Sequence, residues 1–390
     1  MKKTLLVAAM MASFTGAAVA QNTVTLYGRL APAMVYQNVK LSDKAATSLR
    51  TTSGTRNQFS IADGYAPGGS LFGLKGVEDL GGGLKVGFKF EQGLSTATGG
   101  LSTRISALTI SSTAWGSIGF GKDFTAGSEI LSGISPLGTA FAPGSAEVAF
   151  GTFSTNVSNQ VKYLSPTISG LRIGASYSFD QGNVTAVNTT TGARSTISSA
   201  SFGTSNKNRF AQIGLRYANG PVVVGALYST IMPNSTSTAN NNKKPKNWVL
   251  GGTYDLKVVK LHAAYGQNID GIISGGAAAV GGLTTGGATT NFGAVGIASG
   301  VGDGRTNQWM AGLSAPVGAA GKVLFSVSQM SPSGNFDRPA TDTMTNAGIA
   351  YTYSLSKRTS LYGSYSYASN YGMVDGLDVN AVGAGIVHLF

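Results

Sequence analysis

Three things are scarce in this sequence: cysteine, charge and long apolar runs. Cysteine is absent, which excludes disulfide scaffolds, thiolate metal sites and thiol nucleophiles. Charged residues make up 11% of the 390 positions, where a soluble domain carries about 25%. No stretch after the first twenty residues reaches the roughly 18 uninterrupted apolar residues of a membrane helix. Histidine is nearly absent too, with only His262 and His388. Neither has a carboxylate at ligand spacing, so no metal site is expected. A Ser-His-acid triad would have to use one of the two, so no catalytic residue is assigned and no cofactor is expected.

What is present is alternation. In Leu84-Lys85-Val86-Gly87-Phe88-Lys89-Phe90-Glu91 one face is Leu84, Val86, Phe88 and Phe90, and the other is Lys85, Gly87, Lys89 and Glu91. The segment Leu171 to Asp180 repeats the pattern, with Arg172, Gly174, Ser176, Ser178 and Asp180 on its polar face. Low charge combined with period-two alternation suits a transmembrane barrel whose strands face lipid outward and a wet lumen inward. Sixteen such segments are expected, at about 22–36, 69–77, 84–94, 103–113, 117–123, 159–165, 171–180, 208–217, 221–230, 246–255, 258–267, 305–315, 322–331, 343–353, 359–369 and 378–390. Short connectors such as Gly81-Gly82-Gly83 alternate with long ones at about 37–68, 124–158, 181–207, 231–245 and 268–304. Short periplasmic turns and long external loops have this rhythm. Aromatics recur at strand ends, in the pairs Tyr27 and Tyr36, Trp248 and Tyr254, Tyr351 and Tyr353, Tyr365 and Tyr367, as an interfacial girdle requires.

The first twenty residues read as a cleaved signal peptide. Lys2 and Lys3 precede a short apolar core, which ends in Ala18-Val19-Ala20. The remainder, 21–390, reads as one barrel domain. Losing the two lysines takes the formal charge from +12 to +10. The basic residues of that part never run beyond two in a row, which fits a charged lumen and not a nucleic-acid face. Gly116 to Lys122 matches the first seven positions of a phosphate-binding loop, but Asp123 stands where Ser or Thr is needed and the context is a strand. Lys85, Lys257 and the Lys357-Arg358 pair adjoin turns and read as solvated rim. Lys89, Arg104 and Arg172 lie mid-strand, where facing lipid costs about 2–4 kcal/mol, so the lumen is their expected place. Lys162 joins them by alternation.

Several segments resemble the general porins of Gram-negative bacteria, in the trimeric type common among β-proteobacteria. They are Val24-Thr25-Leu26-Tyr27-Gly28-Arg29, Phe72-Gly73-Leu74-Lys75-Gly76-Val77-Glu78-Asp79-Leu80, Tyr163-Leu164-Ser165-Pro166, Leu355-Ser356-Lys357-Arg358-Thr359, and the final Phe390. The resemblance implies an all-β, sixteen-stranded antiparallel barrel, a homotrimer, and a third external loop folded into the lumen. It implies a water-filled channel for small hydrophilic solutes, in a membrane of lipid and lipopolysaccharide, with no nucleic acid as partner. Arg29, Lys75, Arg104 and Lys122 resemble the family's basic wall. The loop at 124–158, with Glu129 and Glu147 and no Lys or Arg, resembles its constriction. Phe390 resembles the signal read by the barrel-assembly machinery. Two departures stand out: Leu71 where family members usually carry Arg, and Asn156-Val157-Ser158-Asn159 where they often carry Arg before the strand leading to Tyr163; the loop tip, Ser135 to Thr139, is also uncharged. Anion preference is expected, with a substrate-selective porin for organic acids as the alternative.

Overall fold

The computed structural model describes residues 23–49, 52–63, 65, 68–141, 143–150, 156–182, 184–187, 194–197, 206–234, 243–272, 283–285, 288–290, 300–333 and 341–390. The segment expected to be cleaved, 1–20, lies outside the described residues. Sixteen antiparallel strands form a closed barrel. They are β1 (Thr23–Leu30 and Pro32–Leu41), β2 (Gly54–Asp63 and Leu71–Gly81), β3 (Leu84–Leu94), β4 (Leu101–Ser112), β5 (Gly116–Phe124), β6 (Asn156–Leu164), β7 (Leu171–Ser178) and β8 (Arg209–Asn219). There follow β9 (Val222–Met232), β10 (Lys246–Asp255), β11 (Lys260–Ile272), β12 (Gly300–Val317), β13 (Gly321–Ser333), β14 (Met344–Ser354), β15 (Thr359–Ser369) and β16 (Leu377–Leu389). Each strand pairs with its neighbours in sequence, and β1 closes the sheet against β16, from Arg29 opposite Leu389 to Leu41 opposite Leu377. Closure matters because an open edge would leave unpaired backbone polar groups in hydrocarbon.

The first two strands are longer than alternation suggested. Much of the expected loop at 37–68 is strand: β1 runs to Leu41, and β2 begins at Gly54, with a short helix α1 (Asp43–Leu49) between them. Each of these strands is made of two arms. β1 breaks at Ala31, just before Pro32, which has no N–H to give the ladder. β2 breaks between Asp63 and Leu71. The two breaks face each other and satisfy their own polar groups: Ala31 N–H donates to Ser70 Oγ at 2.8 Å, and Arg29 Nε donates to Gly69 O at 2.7 Å. The expected loop at 268–304 is also trimmed, since β11 runs to Ile272 and β12 starts at Gly300. The short turn after β2 needs glycine, because Gly81, Gly82 and Gly83 all hold positive φ, at 82°, 60° and 81°.

The outer face is the expected apolar belt. Leu26, Phe72, Leu74, Phe90, Leu108, Phe120, Ile213, Leu250 and Ile349 are all exposed there. Tyr351 and Tyr353 lie side by side at 6.5 Å, and Trp248 meets Tyr265 at 5.6 Å. Tyr27 is an exception to the girdle, since its hydroxyl turns inward to Glu91. The inner face departs further from simple alternation. Leu227, Val249, Met310, Met330, Met344 and Val379 point inward and are buried. They pack under the loop that follows β5.

The candidate pore constriction

That loop, described at residues 125–141 and 143–150, carries two short helices, α2 (Ala126–Ile130) and α3 (Glu147–Phe150). Its underside is Ile130, Leu131, Ile134, Leu137, Phe141, Val148 and Phe150, all at most 5% exposed. They bury against the inner wall in two apolar clusters. Full burial of side chains of this size contributes about 1.5–3 kcal/mol each, so the loop is glued down and does not hang free. Wall glycines make room for it. A Cβ on Gly251 would lie 2.9 Å from Ile134, one on Gly312 would lie 2.7 Å from Pro136, and one on Gly348 would lie 2.8 Å from Leu137.

Polar wall side chains then pin the loop backbone. Ser176 Oγ accepts from Ala126 N–H at 2.8 Å, and Gln212 Oε1 accepts from Gly127 N–H at 2.6 Å. Arg216 donates to Ile130 O at 2.9 Å and Ser132 O at 2.7 Å. His262 Nδ1 meets Ile134 O at 2.9 Å and its Nε2 meets Ser314 Oγ at 3.1 Å. Asn346 donates to Pro143 O and Ser145 O, and Ser366 donates to Phe141 O. The loop therefore follows the inner wall from β7 round to β15. Tyr65, from the break in β2, meets it there: its carbonyl accepts from Phe141 N–H at 2.9 Å, and the two rings pack edge to face at 6.0 Å.

Across the remaining lumen stand the cations of β1 to β8. Lys89, Lys162, Arg172 and Arg216 border a cavity of about 770 Å³, with Asp123 and Glu129 as its carboxylates. The loop faces this cavity with uncharged Ser132, Gly133 and Thr139, all exposed. Higher in the wall, Glu91 bonds Lys89 at 2.8 Å and Arg104 at 3.0 Å, and Lys75 lies 4.9 Å over the Tyr27 ring. Outside the barrel wall, in the external loops, Lys44 pairs with Asp375, and that bond raises the lysine above its ordinary range.

The expected site residues separate on this geometry. Arg29, Lys75, Lys89, Arg104, Lys162 and Arg172 all turn toward the lumen. Arg104 does so only because β4 is bulged there: Ile105 pairs with Glu91 and Thr103 with Gln92, leaving Arg104 as the extra residue. Counting by two from outward Leu108 and Ser106 would have aimed it at lipid. Lys122 is a correction. It pairs with exposed Ser106 and follows Phe120 by two, so it shares the outer face. It lies near the external end of β5, where an outward lysine costs only about 0–1 kcal/mol. Glu129 does not stand opposite the wall; it bridges to it, at 3.5 Å from Lys162 and 3.3 Å from Arg172. Glu147 is a second correction, since it is 7% exposed in α3 and is not among the residues that border the cavity. Leu71 faces inward beside Arg29, its partner in the ladder. Three residues that matter were missed. Arg216 had the same mid-strand signal as Arg172, directly opposite it. Asp123, noticed only as a mismatch to a nucleotide motif, holds Lys162 at 2.5 Å. Glu91 had been placed on the right face but given no role.

A closed antiparallel barrel of this strand number has parallels among known proteins. The Gram-negative porin family model matches residues 6–372. This chain belongs to that family. It is therefore an outer-membrane β-barrel. The porin is 34% identical, over the whole length of both chains, to an outer membrane porin protein of Bordetella pertussis. It is 28% identical to outer membrane porin protein 32 of Delftia acidovorans, over 95% of this chain and 90% of that one. Among solved structures, the anion-selective porin from Comamonas acidovorans shares its fold, with a TM-score of 0.66, 22% identity, and coverage of 95% of this chain and 100% of that one. The trimer form of OmpT of Vibrio cholerae also shares the fold, with a TM-score of 0.56, 14% identity, and coverage of 95% and 99%.

Proposed function

We propose that this porin is an anion-favouring diffusion channel for small hydrophilic solutes, assembled as a homotrimer. The observation that carries the reading is the imbalance around the cavity: four cations meet two carboxylates, Asp123 from β5 and Glu129 from the loop, and the rest of the loop's lining, Ser132, Gly133 and Thr139 among it, is uncharged. Both carboxylates are already bonded to wall cations. An anion entering from either side meets net positive potential, and a cation meets a barrier. The name of the Comamonas neighbour and the trimer form of the Vibrio one agree with this reading. The chain is read as a channel and not an enzyme. The test is the zero-current potential of purified porin in planar bilayers under a potassium chloride gradient. A potential of the sign set by chloride supports the reading, and one set by potassium overturns it.

A second reading is a pore selective for organic acids. It rests on Arg172 and Arg216 lying directly opposite each other in the β7–β8 ladder. Arginine forks suit carboxylates better than they suit chloride. Block of chloride current by a dicarboxylate at millimolar concentration, without equal block by a monovalent acid, would favour it.

A further inference from the structure

We propose that Glu91 is a selectivity-determining residue: a carboxylate built into the basic wall that holds the wall's cations in place and cancels part of their charge. Three strands converge on it. From β1, the Tyr27 hydroxyl donates to Oε1 at 2.9 Å. From its own strand β3, Lys89 Nζ reaches the same oxygen at 2.8 Å. From β4, Arg104 Nε reaches Oε2 at 3.0 Å. Lys75 of β2 joins indirectly, parked over the Tyr27 ring.

The geometry is that of a made site. The Glu91 side chain is 6% exposed, while those of Lys89 and Arg104 are 45% and 28% exposed. The carboxylate is inside the wall and its cations are at the water. Arg104 reaches it only through the bulge in β4, and its guanidinium is also stacked on the Phe124 ring at 4.8 Å. With Nε committed to Glu91 and one face to Phe124, the guanidinium has a fixed orientation. Its remaining edge of N–H groups is the part left to meet a solute. Removing the carboxylate would free both cations to swing and would add one net positive charge to the wall.

This inference rests on the reading that the basic wall sorts ions, and the experiment separates the two. The zero-current potential of the unaltered porin tests that reading. The shift produced by Glu91→Gln tests this one. Glu91→Gln should raise the anion-to-cation permeability ratio at least about twofold at low salt, and by less at high salt where the charge is screened. Glu91→Asp, which keeps the charge, should leave the ratio near that of the unaltered porin; a packing role would move both variants alike. Should Glu91→Gln fail to assemble, the pair Arg104→Gln and Arg104→Gln with Glu91→Gln gives the answer. The single variant shifts toward cations, and the double variant, with the charge balance restored, shifts back. An unchanged potential in Glu91→Gln, or no return in the double variant, overturns the proposal.

Discussion

Phe390 and Gly28 close the barrel. Their backbones exchange two hydrogen bonds, Gly28 N–H to Phe390 O at 3.0 Å and Phe390 N–H to Gly28 O at 3.1 Å. The Phe390 ring lies flat over Gly28 where any Cβ would stand. The final residue thus seals the seam between the first strand and the last, on the outer face.

Deleting Phe390 should therefore impair assembly. It removes two backbone bonds, each contributing about 0.5–1.5 kcal/mol, and opens an edge in lipid. Gly28→Val should do similar harm by displacing the ring. Heat-modifiable trimer on gels is the measurement. Full trimer yield in both variants would show that the seam closes without them.

Arg104 and Lys122 should behave differently in the pore. Arg104→Ala should move the zero-current potential toward cations, most visibly at low ionic strength, because the Debye length is about 8 Å at physiological salt. Lys122→Ala should leave it nearly unchanged, because that side chain is on the outer face. Equal shifts from the two would mean that Lys122 reaches the lumen.

Gly251→Val should narrow the channel. The new side chain would drive into Ile134 and lift the loop toward the cations. Overpacking of this kind costs about 1–3 kcal/mol, so the barrel should still fold while single-channel conductance falls. Unaltered conductance would mean that the loop is bedded elsewhere.

Cysteine scanning should distinguish the two sides of the loop. Ser132→Cys, exposed toward the cavity, should react quickly with a small charged thiol reagent and lose current. Ser135→Cys, at a position 6% exposed, should react slowly. Fast labelling at 135 would place the loop outside the lumen.

Export should remove residues 1–20. Intact mass of the outer-membrane form should correspond to a chain beginning at Gln21, and retention of Met1 would rule the cleavage out.

The barrel itself was legible because each strand must satisfy two solvents. Leu84 to Glu91 alternates lipid-facing and lumen-facing side chains, and that constraint is written into adjacent residues. Strand number, short turns and the lumenal places of Lys89, Lys162 and Arg172 follow from it. Whatever breaks period two had to wait for the fold. A single extra residue in β4 reverses the side on which Arg104 lies, and nothing in Leu101 to Ser112 announces it. The break in β1 at Pro32 fell inside a single expected strand, and the turn of β2 that meets it, just before Ser70, read as part of an external loop. The apolar inner faces of β9 to β16 contradict a water-filled lumen until the loop is laid on them. Likewise Glu129 and Glu147 carry the same charge on the same loop, yet one bridges to the wall and the other is buried. The sequence by itself determined how many times the chain crosses the membrane and which residues are forced inward. Only the tertiary structure decided which charges meet, because distances between residues far apart in sequence depend on strand register and loop packing, and no local pattern records them.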